Sequence, residues 1–334
     1  MKLGLVGAGR IGSRHARTLV GAATVTELLV ADDDPTRAGE LAAALGSGVR
    51  AVSLDELFAA VAAVVIATPT PSHDALLRRA TAAGLPAFCE KPLADSLPRT
   101  RELVAVLAER GVPVQVGFQR RFDPGYLAAR QALNSGQLGE LRRIHAISCD
   151  PSPPPREFLA SSGGLFRDLS IHDFDAVRWL SGQEVEQVYA VGVNRGPSWF
   201  GEIDDVDEAV ALLTLADGTL VTVQGSRFNG AGYDVRMELA GTAGTLAVGL
   251  ADATPVQSAE AATTFPRGPA WEQFWDRFQP AYQAELVAFT ELAAGRLPSS
   301  CTPEDALEAL YVAAAADLSR RENRPVRVAE VRET

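Results

Sequence analysis

The stretch MKLGLVGAGRIGSRHARTLVGAATVTELLVADDD, residues 1–34, decides the fold. Lys2 to Val6 is a short apolar run that reads as a buried strand. Gly7, Gly9 and Gly12 follow at the G-x-G-x-x-G spacing; Ile11 to Val20 then reads as a helix and Val25 to Ala31 as a second strand. Asp32 closes that strand about twenty residues past Gly12, the interval at which a carboxylate meets a ribose hydroxyl. Gly7 permits the tight turn, Gly9 lets backbone N–H groups approach a pyrophosphate, and Gly12 lets helix and strand pack closely. The helix N-terminus adds partial positive charge for the phosphates. A 2′-phosphate beside Asp32, Asp33 and Asp34 would meet like charge. No arginine directly follows the strand, and Arg37 reads as a solvated position on the next helix. The stretch therefore predicts a bound dinucleotide, NAD over NADP.

The rest of the composition sets bounds. The 334 residues are 47% hydrophobic and 22% charged, an ordinary globular balance that suggests roughly two domains. A net charge of -11 disfavours a nucleic acid or an anionic membrane as partner. Cys89, Cys149 and Cys301 are scattered and form no C-x-x-C, so neither a disulfide framework nor a zinc site is expected. The first strand begins at residue 2, which leaves no room for a signal peptide, and no apolar run spans a bilayer. These features predict a cytoplasmic protein.

Further along, Pro35 to Leu45 reads as a helix and Ala62 to Ala67 as a buried strand ending in Thr68-Pro69-Thr70-Pro71. Ser72 is then expected to cap a helix to about Ala83. Pro86 to Cys89 (strand), Arg99 to Arg110 (helix) and Val112 to Gly117 (strand) continue the alternation, which implies a parallel sheet covered on both faces. Ligands of such sheets bind beyond the strand C-termini. The segments 7–12, 68–72 and 90–92 all lie there. After about Phe122 the pattern changes. A helix over 124–134 and a strand over 141–149 lead into Asp150-Pro151-Ser152-Pro153-Pro154-Pro155, a stiff connector. Extended segments at 185–194, 209–216, 219–226 and 235–239 follow, with Asp217-Gly218 as a hairpin turn. They predict a mostly antiparallel open sheet with one half-exposed face, and hence an oligomer. Trp271, Phe274, Trp275 and Phe278 at helical spacing read as core. A separate helix is expected after Pro280, and Thr302-Pro303-Glu304-Asp305 as a capping box opening the next.

Two groups carry chemistry. Lys91 directly follows a strand, on the sheet edge where a nicotinamide would lie. Asp168, His172 and Asp175 are spaced i, i+4, i+7, which puts them on one helix face. Hydride removal from a secondary alcohol needs a base for the hydroxyl proton, and neutral histidine suits that near pH 7. An ammonium favours the developing alkoxide. By spacing alone the alternative stands: Asp168 as a helix cap and His172 as a structural histidine. No third ligand cluster supports a metal.

The segments GLVGAGRIGSRHA (4–16), CEKPL (89–93) and SGGLFRDLSIHDFDAVRWL (162–180), with GFQRRFDPGY (117–126) and GYDVRMELAGTAGTL (232–246), resemble the Gfo/Idh/MocA oxidoreductases across essentially the whole chain. The resemblance is nearest to the bacterial inositol 2-dehydrogenases. It implies an α/β fold: an N-terminal Rossmann domain (1–122) and a C-terminal α/β domain (123–302) on a large, mostly antiparallel open sheet, usually in a tetramer. The helix at about 303–322 is expected to pack back on the first domain. Lys91, Asp168 and His172 are implied as the catalytic set. Gly7, Gly9, Arg10, Ile11, Gly12, Asp32, Thr68, Pro69, Ser72, His73, Glu90 and Lys91 are implied around NAD. Arg120, Asp150, Asp175 and Tyr233 are implied, with the catalytic set, around a polyol. For these four the structural alternatives are an Arg120–Asp175 ion pair, a turn residue and a packed strand residue.

Two departures from the family pattern, Ala231 in place of an aromatic and Cys149 in place of an arginine, leave the hydride chemistry intact and put the polyol in question. The implied reaction is NAD-dependent oxidation of myo-inositol to 2-keto-myo-inositol (scyllo-inosose). The alternatives are an aldose or keto-sugar substrate, or a dinucleotide-binding redox sensor without chemistry.

Overall fold

The computed structural model describes residues 1–265 and 268–333. The chain divides into two compact units: Met1–Phe122 with Pro280–Leu307, and Asp123–Gln279 with the chain from Glu308 onward.

The first unit alternates strand and helix: β1 (Lys2–Val6), α1 (Arg10–Val20), β2 (Glu27–Ala31), α2 (Pro35–Leu45), β3 (Val49–Ala51), α3 (Leu54–Ala60), β4 (Ala63–Ile66), α4 (His73–Ala82), β5 (Ala87–Glu90), α5 (Leu97–Arg110) and β6 (Val114–Gly117). The six strands pair in parallel in the order β3-β2-β1-β4-β5-β6. Strand order therefore reverses between β1 and β4, the position at which such sheets take ligands. β3 and α3 carry no strong sequence signal and were not anticipated. β3 is a three-residue strand with two exposed positions, and α3 is only seven residues long, with Ser53 Oγ accepting from Glu56 N–H. Pro280–Leu307 belongs with this unit, whereas the sequence assigned residues 280–302 to the second domain. Leu286, Phe289 and Leu292 pack into the same apolar cluster as Leu3, Leu5, Val30, Val65 and Phe88.

The second unit contains α6 (Pro124–Asn134), β7 (Leu141–Cys149), α7 (Arg156–Ser162), α8 (Ile171–Ser181), β8 (Val185–Val193), α9 (Trp199–Glu202), β9 (Glu208–Leu215), β10 (Leu220–Ser226), β11 (Asp234–Gly241) and β12 (Thr245–Val248). Helices α10 (Phe274–Ala293) and α11 (Pro303–Glu322) each run across a division between the units, and β13 (Val326–Arg327) and α12 (Val328–Arg332) end the chain. The sheet order is β12-β11-β7-β10-β9-β8-β13. Only β7 and β10 pair in parallel; the other pairs are antiparallel. Strand alternation buries Ala146, Val221, Val223, Val235, Met237 and Leu239 on one face.

Local expectations fared unevenly. Thr302 Oγ1 accepts from Asp305 N–H while Asp305 Oδ2 accepts from Thr302 N–H, so the capping box closes as read. Pro280 does not start a new helix but lies inside the continuous α10. Of the aromatic stripe only Phe278 is fully buried; Trp271 precedes the helix and Phe274 and Trp275 are half-buried. The stretch after the prolines of 151–155 turns into α7, hidden in the sequence by that rigid run. Among the described residues no helix is long and apolar enough to cross a membrane.

Candidate functional site

Geometry around β1 is that of a pyrophosphate cradle. Gly7 has φ +101, and its N–H donates to Ala31 O at 2.8 Å. A Cβ on Gly12 would lie 1.9 Å from the Gly7 carbonyl oxygen, whereas one on Gly9 would meet nothing within 4 Å. Close packing thus excludes a side chain at 12, and open space faces 9, as the motif's mechanics require. Arg10 and Ile11 are the first residues of α1, beside its N–H-bearing end.

Asp32 is held in place by the backbone. Its Oδ2 accepts from Ala8 N–H at 2.7 Å and its Oδ1 from Asp34 N–H at 2.9 Å. Arg37 is exposed, yet it is not merely solvated, because its Nη1 stands 3.5 Å from Asp32 Oδ1. Asp32 is thus fixed by two backbone N–H groups and also occupies the nearby cation. Replacing Asp32 by alanine removes the nearer of the two carboxylates at Arg37, whose Nη2 also stands 3.8 Å from Asp34 Oδ2, and opens that cation to a 2′-phosphate. The NAD/NADP ratio of kcat/KM is expected to fall on the order of a hundredfold, since one removed repulsion and one gained attraction together amount to about 2–3 kcal/mol. Steady-state kinetics with both dinucleotides checks this.

At the ends of β4 and β5 the anticipated residues are tied to one another. Ser72 does not cap α4; a 3₁₀ turn over Thr70–Ser72 intervenes, and its hydroxyl bonds Thr68 Oγ1 at 2.6 Å and Pro69 O at 2.9 Å. His73 is buried with Nδ1 2.7 Å from Pro92 O and Nε2 2.8 Å from Thr68 O. Its ring thus braces the two strand ends. Glu90 Oε1 lies 2.6 Å from Nε2 of the buried His15, whose ring stands edge-on to Phe88. The other carboxylate oxygen lies over Gly117, where an added Cβ would come within 2.9 Å of it. Lys91 follows directly, half-buried at the sheet edge. Arg120 is buried in the turn after β6.

In the second unit the DLSIHDFD segment is not one α-helix. Phe166–Ser170 forms a π-helical turn, and α8 begins at Ile171. Asp168 sits in the wider turn and His172 in the first α turn, so the expected single face holds only for His172 and Asp175. π-turns are frequent at functional sites because they re-aim a side chain. Gly163 and Gly164 (φ +82 and +91) make the entry, and Asp205 Oδ1 accepts from Leu165 N–H at 2.9 Å. Burial of Asp205 raises its carboxyl above the ordinary range, against the hydrogen bonds from Leu165 and Val206. Asp175 and Asp173 on α8 are fully buried, and Ser148 Oγ donates to Asp173 Oδ1 at 2.9 Å. Tyr233 is buried, its N–H bonded to Trp271 O at 2.7 Å and its ring edge-on to Phe278.

One residue here was not anticipated. Arg227, 1% exposed just past β10, donates from Nη1 to Asp150 Oδ2 and from Nη2 to Asp168 Oδ2, both at 2.9 Å. Burial opposes its charge, but Asp168 and Asp150 outweigh that and raise its pKa. The structure thereby joins two predicted site carboxylates through a cation. Only the Ser226-Arg227 step following a strand marked it in the sequence.

The two departures are not equivalent. Strand alternation points Ser148 toward α8 and Cys149 to the opposite face, where Cys149 lines a shallow cleft of about 280 Å³ with Glu208, Ser226, Asp234 and Arg236. Burial, with Asp234 and Glu208 nearby, pushes the Cys149 thiol up to about 12, and burial pushes Cys89 well above its usual value. All three thiols are buried and unbridged. At pH 8 the native protein is therefore expected to consume no aromatic disulfide reagent within minutes, and three equivalents once unfolded. A full equivalent consumed by native protein would place one thiol at the surface. Among the described residues no group of His, Cys, Asp and Glu side chains is arranged to hold a metal.

Comparison with known proteins agrees with this architecture. Residues 1–118 match the "Oxidoreductase family, NAD-binding Rossmann fold" profile, and residues 126–247 match the GFO/IDH/MocA C-terminal domain. The chain is 41% identical over 324 residues to the myo-inositol dehydrogenase Hyg17 of Streptomyces leeuwenhoekii, covering 96% of this chain and 97% of that one. It is 37% identical to the inositol 2-dehydrogenase of Rhizobium meliloti, covering 98% and 99%. Among solved structures, a myo-inositol dehydrogenase from Corynebacterium glutamicum superposes with a TM-score of 0.90 at 34% identity, covering 98% of each chain. A scyllo-inositol dehydrogenase from Lactobacillus casei, solved with NAD(H) and scyllo-inositol, gives 0.87 at 29% identity, covering 98% of this chain and 99% of that one. With both halves matched, the glycine cradle built and the fold shared end to end, the chain belongs to the Gfo/Idh/MocA family of oxidoreductases.

Proposed function

We propose that this chain oxidises a secondary hydroxyl of a cyclic polyol with NAD, myo-inositol to 2-keto-myo-inositol (scyllo-inosose) first. The observation that carries this is the full-length likeness to inositol dehydrogenases, one of them solved with NAD(H) and inositol. The built cradle and the backbone-held Asp32 suit the dinucleotide. Gly7, Gly9 and Gly12, with Arg10 and Ile11, hold the pyrophosphate end. Asp32 takes the ribose. Thr68, Pro69, Ser72, His73 and Glu90 shape the strand ends beside Lys91. NAD, when bound, supplies the two-electron acceptor.

His172 takes the hydroxyl proton as general base. Asp168 orients the imidazole and stabilises its charged form. The Lys91 ammonium steadies negative charge developing on the carbinol oxygen. Arg120, Asp150, Asp175 and Tyr233 position the remaining hydroxyls. A panel of inositols, aldoses and NAD, followed at the NADH absorbance band, tests the reading. An absorbance rise with myo- or scyllo-inositol is expected, and no rise with any inositol overturns it. Turnover confined to an aldose favours the second reading, which Ala231 in the Tyr233 loop supports as a change of pocket shape.

The exposed face of the second sheet supports an oligomer, with a tetramer as our reading. Tyr189 pairs across to Leu212, and Val191 to Val210, so their exposed side chains form an apolar strip with Val193 and Leu220. Light scattering is expected to return a mass near four times 35.3 kDa; a monomer would exclude the assembly. Buried thiols fit a reducing compartment such as the cytoplasm.

A further inference from the structure

Arg227 is a nearly inaccessible guanidinium with two carboxylates on its two terminal nitrogens. Such a group is expensive to bury and needs full pairing, so its presence calls for a physical account. Its surroundings give one. Asp150 follows β7, Asp168 lies in the π-turn, and Arg227 follows β10, the strand paired in parallel with β7. The Arg227 N–H donates to Asp207 O at 2.8 Å, which fixes the base of the side chain to the end of β9. The Nε is buried without a hydrogen bond, so the whole polar engagement of the guanidinium passes through the two terminal nitrogens and these two acids.

We propose that Arg227 is a positioning residue for the oxidation: its guanidinium holds Asp168 next to His172 and Asp150 next to the polyol as one rigid unit. The proposal rests on the reaction assigned above. Asp168 lies four residues before His172, in the π-turn that leads directly into α8. The charge of Arg227, held on Asp168, opposes that carboxylate's pull on a proton at a neighbouring imidazole. The other charges on or near this turn are Arg167 on it, Asp173 and Asp175 on α8, and Asp205, which holds its entry. The terminal nitrogens of Arg227 donate to Asp150 and Asp168, and its charge also acts on Asp205, against the effect of burial there.

The test uses the full chain without cofactor. Only four histidines occur, so the imidazole Cε1–H resonances are few, and the one lost in His172→Asn identifies His172. In Arg227→Met the cation bound to Asp168 is gone, and the His172 titration midpoint is expected to rise by about half a pH unit to one. Arg227→Lys keeps the charge at a single point and is expected to give a smaller rise; it carries the same readout if Arg227→Met fails to fold. With NAD and myo-inositol, Arg227→Met is expected to lose ten- to a hundredfold in kcat/KM. Its acid limb should move up in pH by the same amount, while NADH affinity stays within threefold. An unmoved His172 midpoint in a folded variant overturns the proposal, even where activity falls with thermal stability. If the unmodified protein oxidises no inositol, the assigned reaction fails, and the His172 midpoint still decides the role of Arg227.

Discussion

Replacing His172 by asparagine is expected to lower kcat/KM for myo-inositol by about a thousandfold, the middle of the range for loss of a general base. Asparagine preserves size and one hydrogen-bonding nitrogen but cannot take the proton. NADH affinity, read by fluorescence, should stay within about threefold, because the dinucleotide cradle lies in the other unit's glycines and Asp32. Lys91→Met removes the ammonium while keeping the aliphatic stem, and should cost roughly a hundred- to a thousandfold, as for loss of one donor to a developing oxyanion. The informative measurement is the double variant. If imidazole and ammonium serve one carbinol, the combined loss falls well short of the product of the single losses, since a site already without its base gains little from a stabilised oxyanion. Strictly multiplicative losses would separate Lys91 from His172 and sink the shared-site mechanism. Near-normal turnover in His172→Asn would remove the base assignment alone.

A contrast between two glycines has the largest structural consequence. Gly12→Ala drives a methyl to 1.9 Å from the Gly7 carbonyl oxygen, a backbone atom in a turn whose Gly7 already sits at φ +101. Neither atom can yield without separating β1 from α1. The expected cost is about 3 kcal/mol or more, the upper end for overpacking that forces backbone to move, and it appears as a fall of several degrees or more in Tm or as insoluble protein. Gly9→Ala is different. It has ordinary φ of -71 and nothing within 4 Å of the new methyl, so Tm should change by no more than a degree or two. That methyl instead occupies the approach to the pyrophosphate, and the Kd for NADH is expected to rise at least tenfold. Thermal melts with and without NADH separate the two outcomes. A stable Gly12→Ala protein with intact NADH binding would show that the cradle is not what fixes this turn.

The legible parts of the fold were those whose physics is local. The β1–α1–β2 unit declares itself within 34 residues because turn, helix end and acid are each dictated by spacing. The 302–305 capping box and the Asp217-Gly218 hairpin are likewise short-range, and both stand in the structure. What escaped depends on distant partners or on overrides of local preference. His15 meets Glu90 across 75 positions, and Arg227 meets Asp150 and Asp168 across 77 and 59. No pattern within either segment announces those pairs. The i, i+4 reading of Asp168 and His172 assumed an α period, whereas the segment opens with a π-turn. Pro280 was read as a helix start because proline favours that position, but packing of Leu286, Phe289 and Leu292 carries the helix through it.

Helix α10 carries an implication for how this protein could be cut or recombined. The boundary between the units falls inside it, at Gln279/Pro280, and another falls inside α11, at Leu307/Glu308. Neither unit is a contiguous gene segment. A fragment stopped at residue 122 would expose the hole left by Leu286, Phe289 and Leu292, and a graft of the dinucleotide half onto a relative needs a second splice carrying residues 280–307.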